Sequence, residues 1–149
     1  MANWKKIGQT WCSWPSRPIG LVEMIGGSYL ATSPNISYKK LLNGLREKNL
    51  AIHAWSYVPG FDHQAQANEA WKELRECRIK LEARISKTTF EPIKIGHSLG
   101  CKLHLISPDG GRKSRKFIGL SFNNYKVDQS IPILGRVKRK LNIQTEFSP

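Results

Sequence analysis

Gly96-His97-Ser98-Leu99-Gly100 is a G-x-S-x-G pentapeptide, the spacing of a nucleophile elbow. A serine on a sharp strand-to-helix turn has its hydroxyl pushed out of the sheet, towards a substrate. Glycines two places before and after it relieve the crowding that Cβ atoms would cause. The flanks fit such a turn. Pro92-Ile93-Lys94-Ile95 reads as a short strand, and Leu99, Leu103 and Ile106 recur at helical spacing behind it. The competing reading is a tight strand-to-helix turn with an inert serine.

A serine hydroxyl is a poor nucleophile at neutral pH and needs a base within hydrogen-bond reach. The histidines are His53, His63, His97 and His104. His97 adjoins Ser98 but points away from it in such a turn, and His104 rides the following helix away from the pocket. His63 follows Phe61-Asp62 at the start of a long helical stretch and is the candidate base. Its structural alternative is local packing in the first turn, below an Asp62 cap. Lys102 could attract an acidic substrate group, although a solvated helix residue is the ordinary reading. Cys12, Cys77 and Cys101 form no C-x-x-C and no framework with the histidines. No metal site or cofactor is expected, and the odd count suits a reducing compartment. Cys77 and Cys101 fall on apolar helical faces.

These residues need a scaffold. The 149-residue chain, 40% hydrophobic and 23% charged, is sized and composed for one globular domain. No apolar run near the start reads as a secretory signal, and none is long enough to span a bilayer. The expectation is a soluble, cytoplasmic protein. Trp4 to Trp14 suits two short antiparallel strands, whose tryptophans form aromatic packing at a sheet edge or a binding surface. Leu21–Ile25 reads as a strand ending in Gly26-Gly27-Ser28. A helix from about Ser37, its N-cap, to Lys48 follows, with Tyr38, Leu41, Leu42 and Leu45 as a buried stripe and Asn49 as the stop. Leu50–Trp55 is the next strand. Asp62 can cap a helix from His63 to about Ser86, with Trp71, Leu74, Leu81 and Ile85 on one side. Glu69, Lys72, Glu73, Glu76 and Lys80 fall mostly on the other. Pro108-Asp109-Gly110-Gly111 ends the elbow helix, and Phe117–Phe122 is a further strand.

Strands alternating with helices define an α/β fold, a mostly parallel sheet with flanking helices. Its active region lies beyond the carboxyl ends of the strands. Gly26-Gly27-Ser28-Tyr29, Phe61-Asp62-His63 and the Ser98 elbow should converge there.

The chain resembles the α/β-hydrolase superfamily. More narrowly it resembles a hydrolase-like family of cyanobacteria and plant plastids, domain of unknown function 1350. The matching residues are Ile25-Gly26-Gly27, Phe61-Asp62-His63, Gly96 through Leu105, and Ser121-Phe122-Asn123-Asn124-Tyr125. The resemblance implies Ser98 as nucleophile and the Leu99 N–H as half of an oxyanion hole. A second donor would come from the Gly26-Gly27-Ser28 loop, and Asn123 would lie at the pocket rim. The reaction implied is hydrolysis of an ester or thioester of a small acyl substrate. One departure stands out. The superfamily order is Ser, then Asp or Glu, then His, and here no histidine follows His104. Asp109 and Asp128 could follow later strand ends, yet no downstream histidine would receive them. The fold is therefore expected to be cut short after the strand at 117–122. A partial hydrolase domain would occupy 1–134 and a basic segment 135–149.

The formal net charge is +13, concentrated in Arg112-Lys113-Ser114-Arg115-Lys116 and Arg136-Val137-Lys138-Arg139-Lys140. Such clusters attract acidic protein or anionic membrane surfaces. No recognised nucleic-acid module accompanies them, so nucleic acid is not an expected partner. Two functions follow: a serine esterase or thioesterase impaired by the missing late histidine, or a non-catalytic hydrolase fold that binds an acidic surface. A sheet cut short would also leave an open edge for pairing with a second copy.

Overall fold

The structure is a computed structural model that describes residues 3–86 and 90–122. Asn123, Asn124, Tyr125, Asp128, the Arg136–Lys140 cluster and the 134/135 boundary lie outside the described residues.

Near-continuous burial along the central strands marks a sheet covered on both faces. Six strands form it: β1 (Lys5–Ile7), β2 (Thr10–Ser13), β3 (Gly20–Ile25), β4 (Leu50–Trp55), β5 (Ile93–His97) and β6 (Lys116–Leu120). Their order is β1-β2-β4-β3-β5-β6. β3, β4, β5 and β6 run parallel, while β1 and β2 add an antiparallel hairpin beside β4. The helices are α1 (Pro34–Ser37), α2 (Lys39–Glu47), α3 (His63–Ile85) and α4 (Leu99–Leu105). Val22, Met24, Ile52, Ala54 and Ile95 face Leu42 of α2, with Tyr38 and Leu45 packed against them. Ile25 and Trp55 turn the other way and pack on Ala67, Ala70 and Leu74 of α3 and on Leu99 and Leu103 of α4. At about 25 cal/mol per Å² of apolar surface removed from water, these two layers are the main source of stability.

The expected helix over 37–48 is corrected. Pro34, with its φ preset, opens a one-turn α1, and the chain breaks at Tyr38 (φ −110°, ψ 24°) before α2 begins. Ser37 closes α1 and caps nothing. Contact runs through Tyr38, Leu42 and Leu45, at i, i+4 and i+7, so Leu41 sits at the flank, 37% exposed. Asn49 ends α2 with φ 65°, in the left-handed region that asparagine tolerates. Asp62 caps α3 as its sequence position suggests, its Oδ1 accepting from the Ala65 N–H at 2.9 Å. Glu73, assigned to the solvent side, instead accepts from the Trp55 indole N–H.

The tryptophans of the hairpin are packing residues. Trp4 and Trp11 lie against the α2-side core, and Trp14 against Leu21, Ala51 and Leu81. Trp14 Nε1 donates to His53 Nε2 at 2.8 Å. Cys12, Cys77 and Cys101 are free and buried. Among the described residues no helix is long and apolar enough to cross a membrane.

Candidate active site

Parallel pairing of β3 with β5 sets Ile25 beside Gly96. The loop after Ile25 and the turn after His97 therefore emerge together. Ser98 occupies that turn with φ 53° and ψ −118°, a conformation that a residue with a Cβ rarely adopts. Its N–H donates to Leu120 O at 2.9 Å, tying the turn to the end of β6. The flanking glycines are required by close approach. A Cβ on Gly100 would fall 1.9 Å from Ile25 O, and one on Gly96 would fall 2.6 Å from Cys101 Cα. The serine is held in a strained position by two backbone contacts that only glycine permits.

Gly27 lies against the same turn; a Cβ there would come within 3.2 Å of Ser98 Cβ. Its N–H donates to Tyr38 Oη at 2.8 Å, and that hydroxyl is 2.7 Å from His97 Nδ1. Tyr57 Oη in turn donates to Gly26 O at 2.7 Å. Two phenols thus fix the Gly26-Gly27-Ser28 loop over the elbow. Burial, above all, raises the Tyr38 and Tyr57 hydroxyls above the ordinary tyrosine range, so both remain protonated donors. The Leu99 and Gly100 N–H groups, at the start of α4, make no hydrogen bond among the described residues. The Gly27 N–H is already occupied.

The histidines separate clearly. His53 accepts from Trp14 and is fully buried, which lowers its pKa to about 3, with Arg78 acting in the same direction. His97 is engaged by Tyr38, on the face away from α3. His104 turns under α4, with Nε2 3.1 Å from Ile95 O and its ring edge-on to Phe117. Burial, followed by the Lys94 charge, holds it at about pKa 3. His63 differs: it is 1% exposed and, among the described residues, neither ring nitrogen has a hydrogen-bond partner. Burial lowers it to about 4, the Lys102 charge adds to that, and Asp62 opposes both. It makes no hydrogen bond to Ser98.

Lys102 is the main correction at the site. It is 3% exposed instead of solvated, and its Nζ has no partner among the described residues. Burial lowers its pKa from the ordinary lysine value. Sequence reasoning also missed Tyr38 as a positioning residue. Its place on the apolar stripe of residues 37–48 announced a packing ring and gave no sign of where the hydroxyl reaches.

Arg112, Lys113, Arg115 and Lys116 are exposed. Ile118, Leu120 and Phe122 are also exposed, at the sheet margin. Among the described residues, no three His, Cys, Asp or Glu side chains gather where they could hold a metal ion.

A mostly parallel sheet, helices on both faces and a serine at a tight strand-to-helix turn define an α/β-hydrolase-like fold. Solved structures agree. Fluorophosphonate-binding serine hydrolase F of Staphylococcus aureus is similar at TM-score 0.56 and 13% identity, over 99% of this chain and 75% of that one. TT1662 from Thermus thermophilus gives TM-score 0.60 at 14% identity, over 93% and 67%. The S-formylglutathione hydrolase FrmB of S. aureus gives 0.52 at 14%, over 98% and 73%. At such identities the likeness concerns the fold alone. No curated protein matches the chain. The chain belongs to the family described as protein of unknown function (DUF1350), which it matches over residues 3–149.

Proposed function

We propose that this protein is a serine hydrolase that transfers the acyl group of an ester or thioester to water. The observation that carries this reading is the backbone of Ser98, strained at φ 53° and ψ −118° between two glycines that no other residue can replace. Strain of this kind is maintained where a side chain must be presented. Ser98 Oγ attacks the carbonyl carbon while its proton passes to a base. The negative oxygen that develops is met by the unpaired Leu99 N–H, and a second donor comes from the Gly26–Ser28 loop, other than the Gly27 N–H. The alcohol or thiol leaves with a proton. Water then cleaves the acyl-serine, releasing the acid and restoring Ser98.

His63 is the candidate base. Three histidines are committed to Trp14, Tyr38 and Ile95 O, whereas both nitrogens of His63 are unengaged. With its pKa lowered to about 4 by burial it is neutral at pH 7, the form a base requires, but a weaker base than an ordinary histidine. The test is labelling of folded protein with a fluorophosphonate. Labelling is expected in the wild type, absent in Ser98→Ala and slowed in His63→Asn. A folded wild type that takes no label, or a Ser98→Ala variant that labels equally, overturns the reading.

A further inference from the structure

Among the described residues, the buried amine of Lys102 has no hydrogen-bond or ion-pair partner. Buried ammonium groups are normally paired, and isolated ones are among the most unfavourable groups a fold can contain. The other buried lysine, Lys94, shows the normal case, with its Nζ 3.0 Å from the Asp109 carboxylate. Lys102 lies four residues beyond Ser98, about 6 Å along the helix axis. Helical side chains lean back towards the N-terminus, so its stem returns towards the elbow. His63 opens α3 and Lys102 lies on α4, two helices that pack against each other. Both side chains are more than nine-tenths buried and, among the described residues, have no hydrogen-bond partner, and the Lys102 charge acts on His63. Two such donors suit an anionic group.

We propose that Lys102 is a specificity-determining residue of the Ser98 site, its ammonium receiving the acidic group of an ester or thioester that carries a carboxylate on its acyl chain. This rests on Ser98 being the nucleophile. Binding the carboxylate would satisfy Lys102 and offset the charge that disfavours protonation of His63. The correct substrate thereby improves the base as it binds. A neutral acyl chain leaves the amine desolvated and unpaired, which is the arrangement that discriminates most strongly between ligands.

The test compares para-nitrophenyl butyrate with the para-nitrophenyl mono-ester of glutaric acid. The wild type is expected to favour the acidic ester in kcat/KM. Lys102→Met is expected to lower that ratio by about ten- to hundredfold, the worth of one charge-assisted hydrogen bond. Lys102→Arg, which keeps the charge, should retain part of it. An equal ratio in wild type and Lys102→Met overturns the proposal. If neither ester is turned over and Ser98 takes no label, the hydrolase reading has failed, and the site is read instead by free glutarate. Glutarate that raises the thermal midpoint of wild type but not of Lys102→Met supports an acid-binding site. Glutarate that raises neither, or both equally, overturns it.

Discussion

This fold buries charge in two places, and they are built on opposite principles. Under the middle of α3, Glu23 of β3 takes a forked contact from Arg78, with distances of 2.8, 3.0 and 3.1 Å, and Lys94 pairs with Asp109. Asp109 also accepts from Ser107 Oγ and from the Gly111 N–H, so its carboxyl falls to about pKa 2 although burial acts against it. Glu23 is raised by burial even beside Arg78. Each of these charges nonetheless has a partner at hydrogen-bond distance. At the starts of α3 and α4 the arrangement is reversed. His63 and Lys102 are as deeply buried and have no partner among the described residues. The contrast teaches that burial alone does not separate these two regions; satisfaction of their charged groups does, and in the proposed reading the pairing at the second is left to a ligand.

The largest effect should come from breaking the satisfied region. Arg78→Met leaves the Glu23 carboxylate buried alone and should lower urea stability by about 3–5 kcal/mol. The double variant Glu23→Leu/Arg78→Met should recover much of that loss, because it removes the stranded charge. A double variant as unstable as the single one would show that packing, not charge, dominates there.

Acid should act next. His53, His63 and His104 are held neutral in the fold at about 3, 4 and 3, below their unfolded value near 6.5. Their folded forms exclude a proton that the unfolded chain accepts. Stability is therefore fully present above about pH 6.5 and falls with pH towards those lower values. Each should contribute a loss of roughly 2 kcal/mol by pH 5. Urea midpoints measured from pH 7.5 to pH 5 would show it. Replacing His63 by Asn should flatten its share of the slope, and an unchanged slope would show that His63 is not held neutral.

The unsatisfied region should respond with the opposite sign. Lys102→Met replaces a stranded amine with an apolar chain of similar reach and should raise stability by about 1–2 kcal/mol. A loss of stability would mean that Lys102 has a structural partner, and the contrast between the two regions would collapse. The smallest effect belongs to the link that positions the elbow. Tyr38→Phe removes the hydroxyl shared by the Gly27 N–H and His97 Nδ1, at about 1 kcal/mol in the urea midpoint. Fluorophosphonate labelling of Ser98 should slow in the same variant. Labelling at the wild-type rate would remove Tyr38 from the site.

Much of this architecture was legible from local pattern. Short apolar runs placed β3 and β4 to within a residue of their ends. The Asp62 cap fixed the start of α3, and G-x-S-x-G set Ser98 between a strand and a helix. Such signals are local because strand pleat, helix period and cap chemistry are set by neighbours in the chain. Where the local pattern failed, a distant residue had intervened. Residues 37–48 carry an ordinary helical stripe, but the Tyr38 hydroxyl is bound by the loop after β3, and the helix breaks there. Glu73 sits at a solvent-facing period of α3 and is taken by Trp55 across the packing interface.

The sequence by itself determined the α/β class and a serine on a tight turn, since these follow from periodicity and from glycines at fixed offsets, and its motifs carried the resemblance to the family. Only the tertiary structure decided which histidines are already committed, which phenol fixes the loop over the elbow, and that Lys102 is buried without a partner. Side-chain satisfaction is a property of contacts between segments far apart in sequence, and no spacing within one segment encodes it. Lys102 looks like any exposed helical lysine in the sequence, and only the fold buries it.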